Sequence, residues 1–382
     1  MKYRLKHLTI GLSALCALWL SGQAVAEDGV SERQLLIGQP ISLESGKNDY
    51  GAAVLDGVQT ALAQANQSGG VYGRQIVLKI RDSQNKAAVA EDDARTLVTQ
   101  DKVFILFGSI EGGPSTAVMK AAIDLQVPFF GPMAGSPELR TPFQPLVFPV
   151  RAEHKGEFRA LMAYAHSLGI RKVAFVRSDS GTGEKHLRNV EALAKDIGLQ
   201  LVANLPFKSD INAAGIDAMA KTIALSGAAM VFNHGGPGMY EKLIRRSAEL
   251  GIKTHFYGVN SGSTQIATHL GDRAHGMIFA QVLPSPWEGK TALTRAYQDA
   301  FGRYKPGGAY SYGSLEGYLT GRALLEALKR AGPKPTRASF LAGLRNTELN
   351  VEGMRIAFNE QHHTGLELVD LSIFSRQGHF MH

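Results

Sequence analysis

LLIGQPISLESGKNDYGAAVLDGVQTALAQANQSGGVYGRQIVLKIRD, residues 35–82, spells out one β-loop-α-β unit. The apolar run at its start ends in a polar Gly/Ser loop over 42–48. Val54, Leu55, Val58, Ala61, Leu62 and Ala65 then recur at the spacing of one helix face. Gly69 and Gly70 end that helix, and an alternating apolar strand follows. A polar loop between a strand end and a helix start offers free N–H groups to a small ligand. Tyr50, at the start of the helix, adds an aromatic face or a hydroxyl.

The same alternation continues outward. Residues 103–107 form an apolar run closed by Gly108, as expected of a strand buried on both faces. Further strands are expected at 127–130, 173–176, 201–203, 229–232, 255–259, 354–358 and 366–374. Helices are expected at 87–98, 115–126, 157–168, 184–197, 213–225, 239–250, 293–301, 315–331 and 338–344. The proline-bearing stretches 141–151 and 277–286 suit extended crossings rather than compact elements. Repeated βα units predict an α/β fold of two Rossmann-like lobes, with parallel sheets flanked by helices. Lobe 1 is expected over 27–150 and 284–350, and lobe 2 over 151–283 and 351–382, joined by a multi-strand hinge. Ligands of such sheets lie beyond the carboxyl strand ends, which places a site in the cleft between the lobes.

The first 26 residues read as a secretory leader. Lys2, Arg4 and Lys6 precede a short apolar run, and Ala24-Val25-Ala26 has the small residues of a cleavage site. Leu15 stands before Cys16 where a lipoprotein signal wants a small residue, which argues against a lipid anchor. Cleavage after Ala26 removes the one cysteine, excluding disulfides, thiol catalysis and cysteine-held metals. It also lowers the formal charge from +7 to +4. The remaining basic residues are scattered, with no stripe suited to nucleic acid.

Catalytic patterns fail in turn. Gly46-Lys47 lacks the rest of a phosphate-binding loop, and Gly181-Thr182-Gly183 lacks the last glycine of a dinucleotide fingerprint. No nucleophile elbow occurs, and Ser83-Gln84-Asn85-Lys86 has serine–lysine spacing only in isolation. The twelve histidines show no metal-ligand spacing, so neither metal nor cofactor is expected. His362-His363 falls in a polar turn and is expected to face solvent. His234 follows the strand at 229–232 and admits two readings, a ligand contact or a locally bonded strand-end histidine.

The remaining candidates are strand-end loops. Ile110, Glu111, Gly112 and Gly113 follow one buried strand, and Ala134, Gly135 and Ser136 follow the next. Loops 178–182, 234–236 and 260–261 occupy equivalent places in the second lobe, with Thr182, His234, Gly236 and Asn260 as candidate contacts.

These residues resemble the leucine/isoleucine/valine-binding family of type I periplasmic binding proteins, the solute receptors of ABC importers. The likeness rests on Gly38, Tyr50-Gly51, Gly69-Gly70 and Gly73, and on VPFFGPMAGSPEL at 127–139. RRSAELGIKTHFYG at 245–258 and SLEGYLTGRALLEAL at 314–328 support it. The resemblance implies that loops 110–113 and 134–136 hold a ligand carboxylate and that Tyr50 lines the site. An ammonium would meet an acidic residue of the second lobe, where this chain has Asn260. Gly112 and Gly135 replace hydroxyl residues, and Thr182 and Gly236 replace aromatic ones. Gly135 and Gly236 are thereby expected to leave room for a bulkier ligand, and Glu111 is a possible substitute for the missing carboxylate.

The expectation is a monomeric periplasmic protein that captures a small polar solute, an amino acid or an amino-acid-like amide or organic acid. It would hand that solute to an ABC permease of the inner membrane without catalysing a reaction. A sensory receptor with the same cleft and a secreted enzyme on the same fold are the competing classes.

Overall fold

β1 (Gln34–Ile41), α1 (Asp49–Gln67) and β2 (Gln75–Asp82) reproduce the opening unit. β1 and β2 run parallel in unbroken register, from Gln34 beside Gln75 to Ile41 beside Asp82. The computed structural model describes residues 27–382, so the expected leader lies outside the described residues. α2 (Ala87–Thr99), β3 (Ile105–Phe107), α3 (Gly112–Asp124), β4 (Phe129–Phe130) and β5 (Val147–Phe148) complete the first block. Its sheet is parallel throughout, in the order β2-β1-β3-β4-β5. Ile105, Leu106 and Phe107 have no solvent exposure, which fits a strand covered on both faces.

The winding then repeats. α4 (His154–Ser167), β6 (Lys172–Ser178), α5 (Gly181–Ile197), β7 (Gln200–Phe207), α6 (Ala213–Ser226) and β8 (Met230–Asn233) come first. α7 (Pro237–Glu249), β9 (His255–Gly258), α8 (Ser263–Leu270) and β10 (Ile278–Gln281) follow. The parallel strands stand in the order β10-β9-β8-β6-β7, the same winding as the first sheet. Each block therefore reverses direction beside its first strand, between β1 and β3 and between β6 and β8. Strand-end crevices at such reversals are where open α/β sheets bind ligands.

After β10 the chain returns to the first block as α9 (Ala292–Tyr304), α10 (Tyr312–Arg330), α11 (Arg337–Leu344), β11 (Thr347–Val351) and β12 (Met354–Phe358). β11 and β12 pair as an antiparallel hairpin, and Phe358 meets Phe130 and Phe148 edge-on. The expected lobe boundary at 350/351 falls inside this hairpin. The chain then crosses again to β13 (Asp370–Phe374) and β14 (Phe380–Met381), which extend the second sheet antiparallel at its edge. Three crossings thus link the two sheets. Two of them are tied together where Gly365 N donates to Pro149 O at 2.9 Å.

α10 is buried along almost its whole length against α1. The contact depends on glycine: a Cβ at Gly57 would stand 1.9 Å from Ser314 O, and one at Gly317 2.0 Å from Val54 O. This close backbone approach fixes Glu316 of α10 beside Tyr50 of α1.

Several helices start about three residues earlier than the sequence pattern predicts. α5 and α10 are capped by Ser180 and Ser311, each accepting an N–H from the residue three ahead. Gly112, Gly113 and Pro114 form the first turn of α3, where proline needs no N–H partner. β5, α8, β11 and β14 have no counterpart in the sequence-based expectation. The strand expected over 366–374 is confined to Asp370–Phe374. Among the described residues, no helix is long and apolar enough to cross a membrane.

Candidate functional site

The loop after β1 is held open by one carboxylate. Asp82 Oδ1 accepts N–H bonds from Leu43 at 2.9 Å, Glu44 at 3.1 Å and Gln84 at 3.0 Å, and Oδ2 accepts from Ser45 at 2.8 Å. Partial burial alone would raise this carboxyl, but the four N–H donors outweigh it and hold it below the usual range. They also stabilise the left-handed backbone of Glu44 and Ser45, at φ 52° and 55°. The anchored loop delivers Asn48, whose side chain caps α1, and then Tyr50.

Tyr50 is 2% exposed, and its hydroxyl reaches toward Glu316 Oε2 at 3.5 Å. Asn260, 1% exposed, donates its side-chain amide to the same Glu316 oxygen at 2.9 Å. Its backbone N–H goes to Glu157 Oε2 at 2.7 Å. Arg151, on the first crossing, pairs with Glu157, stands 3.6 Å from Glu316 Oε1 and donates to Ser261 Oγ at 3.1 Å. Glu157 is thereby held below the ordinary carboxylate range against the pull of burial, mainly by Arg151. Glu316 is pushed up by burial, which Arg151 only partly offsets. Asn260 Oδ1 and Glu316 Oε1 keep no hydrogen-bond partner.

Loop 134–136 is clamped from behind. Buried Arg140 donates to Ala134 O at 3.2 Å, Ser136 O at 2.9 Å, Arg151 O at 2.9 Å and Thr364 Oγ1 at 3.1 Å. Burial lowers its pKa to about 10. The clamp leaves Ser136 Oγ buried and unpaired. On the other side of the cleft, the imidazoles of His154, His186 and His234 converge, with ring nitrogens within 4.8 Å of one another.

The two walls meet at Gly112. A Cβ there would stand 2.7 Å from Ser136 Oγ and 3.0 Å from Thr182 Cγ2. Glu111 precedes it with φ +65°, a strained backbone for a side-chain-bearing residue. Enclosure, with Glu44 nearby, raises the Glu111 carboxyl to about 7, although the Gly236 N–H pulls the other way. Two cavities flank Glu111. One of about 280 Å³ includes Tyr50, Asn48, Phe207 and Gly236 in its lining. The other, of about 470 Å³, includes Gly112, Gly113, Ser178, His234 and Gly236.

Tyr50, Glu111, Gly112, Gly113, His234 and Gly236 line these cavities, Ser136 and Thr182 adjoin Gly112, and Asn260 meets Glu316 beside Tyr50. Ile110 is fully buried and packs against the core. Ala134 is likewise buried and contributes its carbonyl to Arg140. Gly135 and Gly236 leave no extra room. A Cβ on Gly135 would stand 2.5 Å from the His154 ring, and one on Gly236 2.6 Å from Phe207. His363 does not face solvent: it is 6% exposed and stacks on Phe148 with ring centroids 4.1 Å apart. Arg140, Arg151, His154, Glu157, His186 and Glu316 lie in this region but were not expected there. Glu316 was within reach of the sequence, since it lies in the 314–328 stretch that carries the family resemblance. The others carry no local pattern.

The chain belongs to the periplasmic binding protein family, whose model matches residues 35–369. The Leu/Ile/Val-binding protein homolog 7 of Brucella abortus is 25% identical over 297 residues, 72% of this chain and 71% of that protein. An extracellular ligand-binding receptor from Verminephrobacter eiseniae superposes with a TM-score of 0.81 at 26% identity. That match covers 91% of this chain and all (100%) of the receptor. A solute-binding protein of an R. palustris ABC transporter, solved in complex with benzoate, shares the fold with a TM-score of 0.80. It is 16% identical, over 91% of this chain and 95% of its own.

Proposed function

We propose that this protein is a periplasmic solute receptor that closes over a small polar molecule and presents it to an ABC importer. The observation that carries this reading is the meeting of strand-end loops from both sheet reversals at Gly112. Buried, unpaired Ser136 Oγ and Asn260 Oδ1 add to it. Buried polar groups are normally paired, so these atoms fit contacts completed by a bound solute.

Charge favours a carboxylate-bearing or neutral polar solute over a simple cation. Glu157 is neutralised by Arg151, while Glu316 and Glu111 are both shifted toward their protonated forms. Arg140 has only carbonyl and hydroxyl partners in hydrogen-bond range, which leaves its positive charge behind the Ser136 loop. A zwitterionic amino acid fits when its ammonium meets Asn260 Oδ1 and Glu316. The benzoate-bound relative supports a small organic acid equally well. Binding and release complete this function without a reaction.

The test is thermal unfolding across a panel of amino acids, their amides and small organic acids. A ligand at a hundred times its Kd stabilises by about 2.7 kcal/mol. The Asn260→Ala variant is expected to weaken the identified ligand at least tenfold. Absence of stabilisation by every compound would overturn the solute reading, and undiminished binding by Asn260→Ala would overturn the assigned contact.

A further inference from the structure

We propose that His154, His186 and His234 form a site for one divalent transition-metal ion of the zinc class, set into the second-sheet wall of the cleft. The three come from separate elements: His154 opens α4, His186 sits in the second turn of α5, and His234 follows β8. They are 4%, 0% and 5% exposed. Ring centroids are 4.1 Å apart for His186 and His234, 5.3 Å for His154 and His186, and 6.0 Å for His154 and His234.

Their hydrogen bonding is that of ligands awaiting a common partner. Both nitrogens of His186 and Nδ1 of His234 are buried without any hydrogen bond. A buried polar group left unpaired is costly, so leaving several at one point is a substantial penalty. The other nitrogens have outer partners. His154 Nδ1 is 2.8 Å from Glu157 Oε1, which leaves Nε2 for an ion. His234 Nε2 is 3.2 Å from Ser178 Oγ, which leaves Nδ1. A carboxylate or hydroxyl behind a ligating imidazole is the usual way its tautomer and orientation are fixed.

The donor set indicates the ion. Imidazole nitrogens suit zinc, copper and nickel, whereas magnesium and calcium require oxygen ligands. Three nitrogens on one tetrahedral zinc stand about 3.4 Å apart, so modest side-chain rotation within the observed 4.8 Å limit suffices. Arg140, Arg151 and Arg177 lie near the cluster and oppose a dication, and the Glu157 carboxylate behind His154, already paired with Arg151, offsets them only in part. His234 lines the cavity shared with Glu111 and Ser178, which sets the cluster directly behind the cleft.

The experiment uses the full secreted chain after chelator treatment, titrated calorimetrically with Zn²⁺ and with Co²⁺ alone. Because no solute is added, its outcome is independent of the solute reading. One equivalent of metal is expected, with the intense visible absorption of tetrahedral Co²⁺. His186→Gln should weaken it at least a hundredfold, and His269→Gln, at the surface pair with Glu241 and Asp49, should leave it unchanged. Failure of the native protein to bind, or equal affinity in His186→Gln, overturns the site. Loss in His269→Gln instead does the same. If His186→Gln does not fold, electron paramagnetic resonance of the native Cu²⁺ complex decides. Coupling to three imidazole nitrogens supports the site, and coupling to fewer overturns it.

Discussion

At the residue scale, the cleft is governed by side chains whose charge depends on enclosure. Glu111 shows this most clearly, because its backbone is strained and its carboxyl is raised to about 7. The folded state then holds a proton that the unfolded state has released. Stability from this group is full below about pH 4.5 and declines as pH rises toward 7. Thermal unfolding of the unliganded protein should therefore fall over that interval, and Glu111→Gln should flatten the profile. An identical slope in the variant would show that Glu111 is not the titrating group. Tyr50, Glu111 and Asn260 were legible as candidates because each adjoins a strand-end loop. Their partners were not: Glu316 is far along the chain from Tyr50 and Asn260, and only packing of α10 joins them.

At the scale of elements, the α1–α10 contact does the positioning. Gly57 and Gly317 let the two helix backbones touch, and Glu316 reaches the cleft as a consequence. Gly57→Ala places a methyl 1.9 Å from Ser314 O, a clash with backbone that no rotamer relieves. The variant is expected to lose about 1–3 kcal/mol in urea unfolding, with weaker solute binding because Glu316 is displaced. Helix periodicity revealed α1 and α10 separately, and helix starts were misjudged where serine caps or glycines preceded the apolar run. The short strands β5 and β14 escaped detection because two residues carry no period. The hairpin of β11 and β12 was half missed for a related reason. β11, TELNV, shares the burial pattern of β12 but has three polar residues in five, so its apolar signal is weak.

At the scale of the molecule, two sheets with the same winding meet across three chain crossings. Such a connection suits closure by hinge motion. Gly112 marks the point where the walls touch, and its backbone is not in the left-handed region, so a larger residue is conformationally acceptable there. Gly112→Val should wedge Thr182 away from the Gly112–Ser136 wall. The expected result is at least tenfold weaker solute binding with little change in the unfolding temperature of the unliganded protein. Small-angle scattering is expected to show solute compacting the native chain but not the variant. Equal compaction in both would place the closing contact elsewhere.

The sequence alone determined the alternation of strands and helices, the two-block α/β architecture and the loops that border the cleft. These follow from local periodicity, glycine and proline placement, and the chemistry of helix starts, all of which act over a few neighbouring residues. Only the tertiary structure decided which distant residues share the site. The Arg151–Glu157–Glu316 cluster, the Arg140 clamp and the three converging histidines each draw on elements far apart in the chain. Their spacing encodes nothing, because their proximity arises from sheet winding and close helix packing. His154 and Phe207 fill the space that Gly135 and Gly236 were expected to leave.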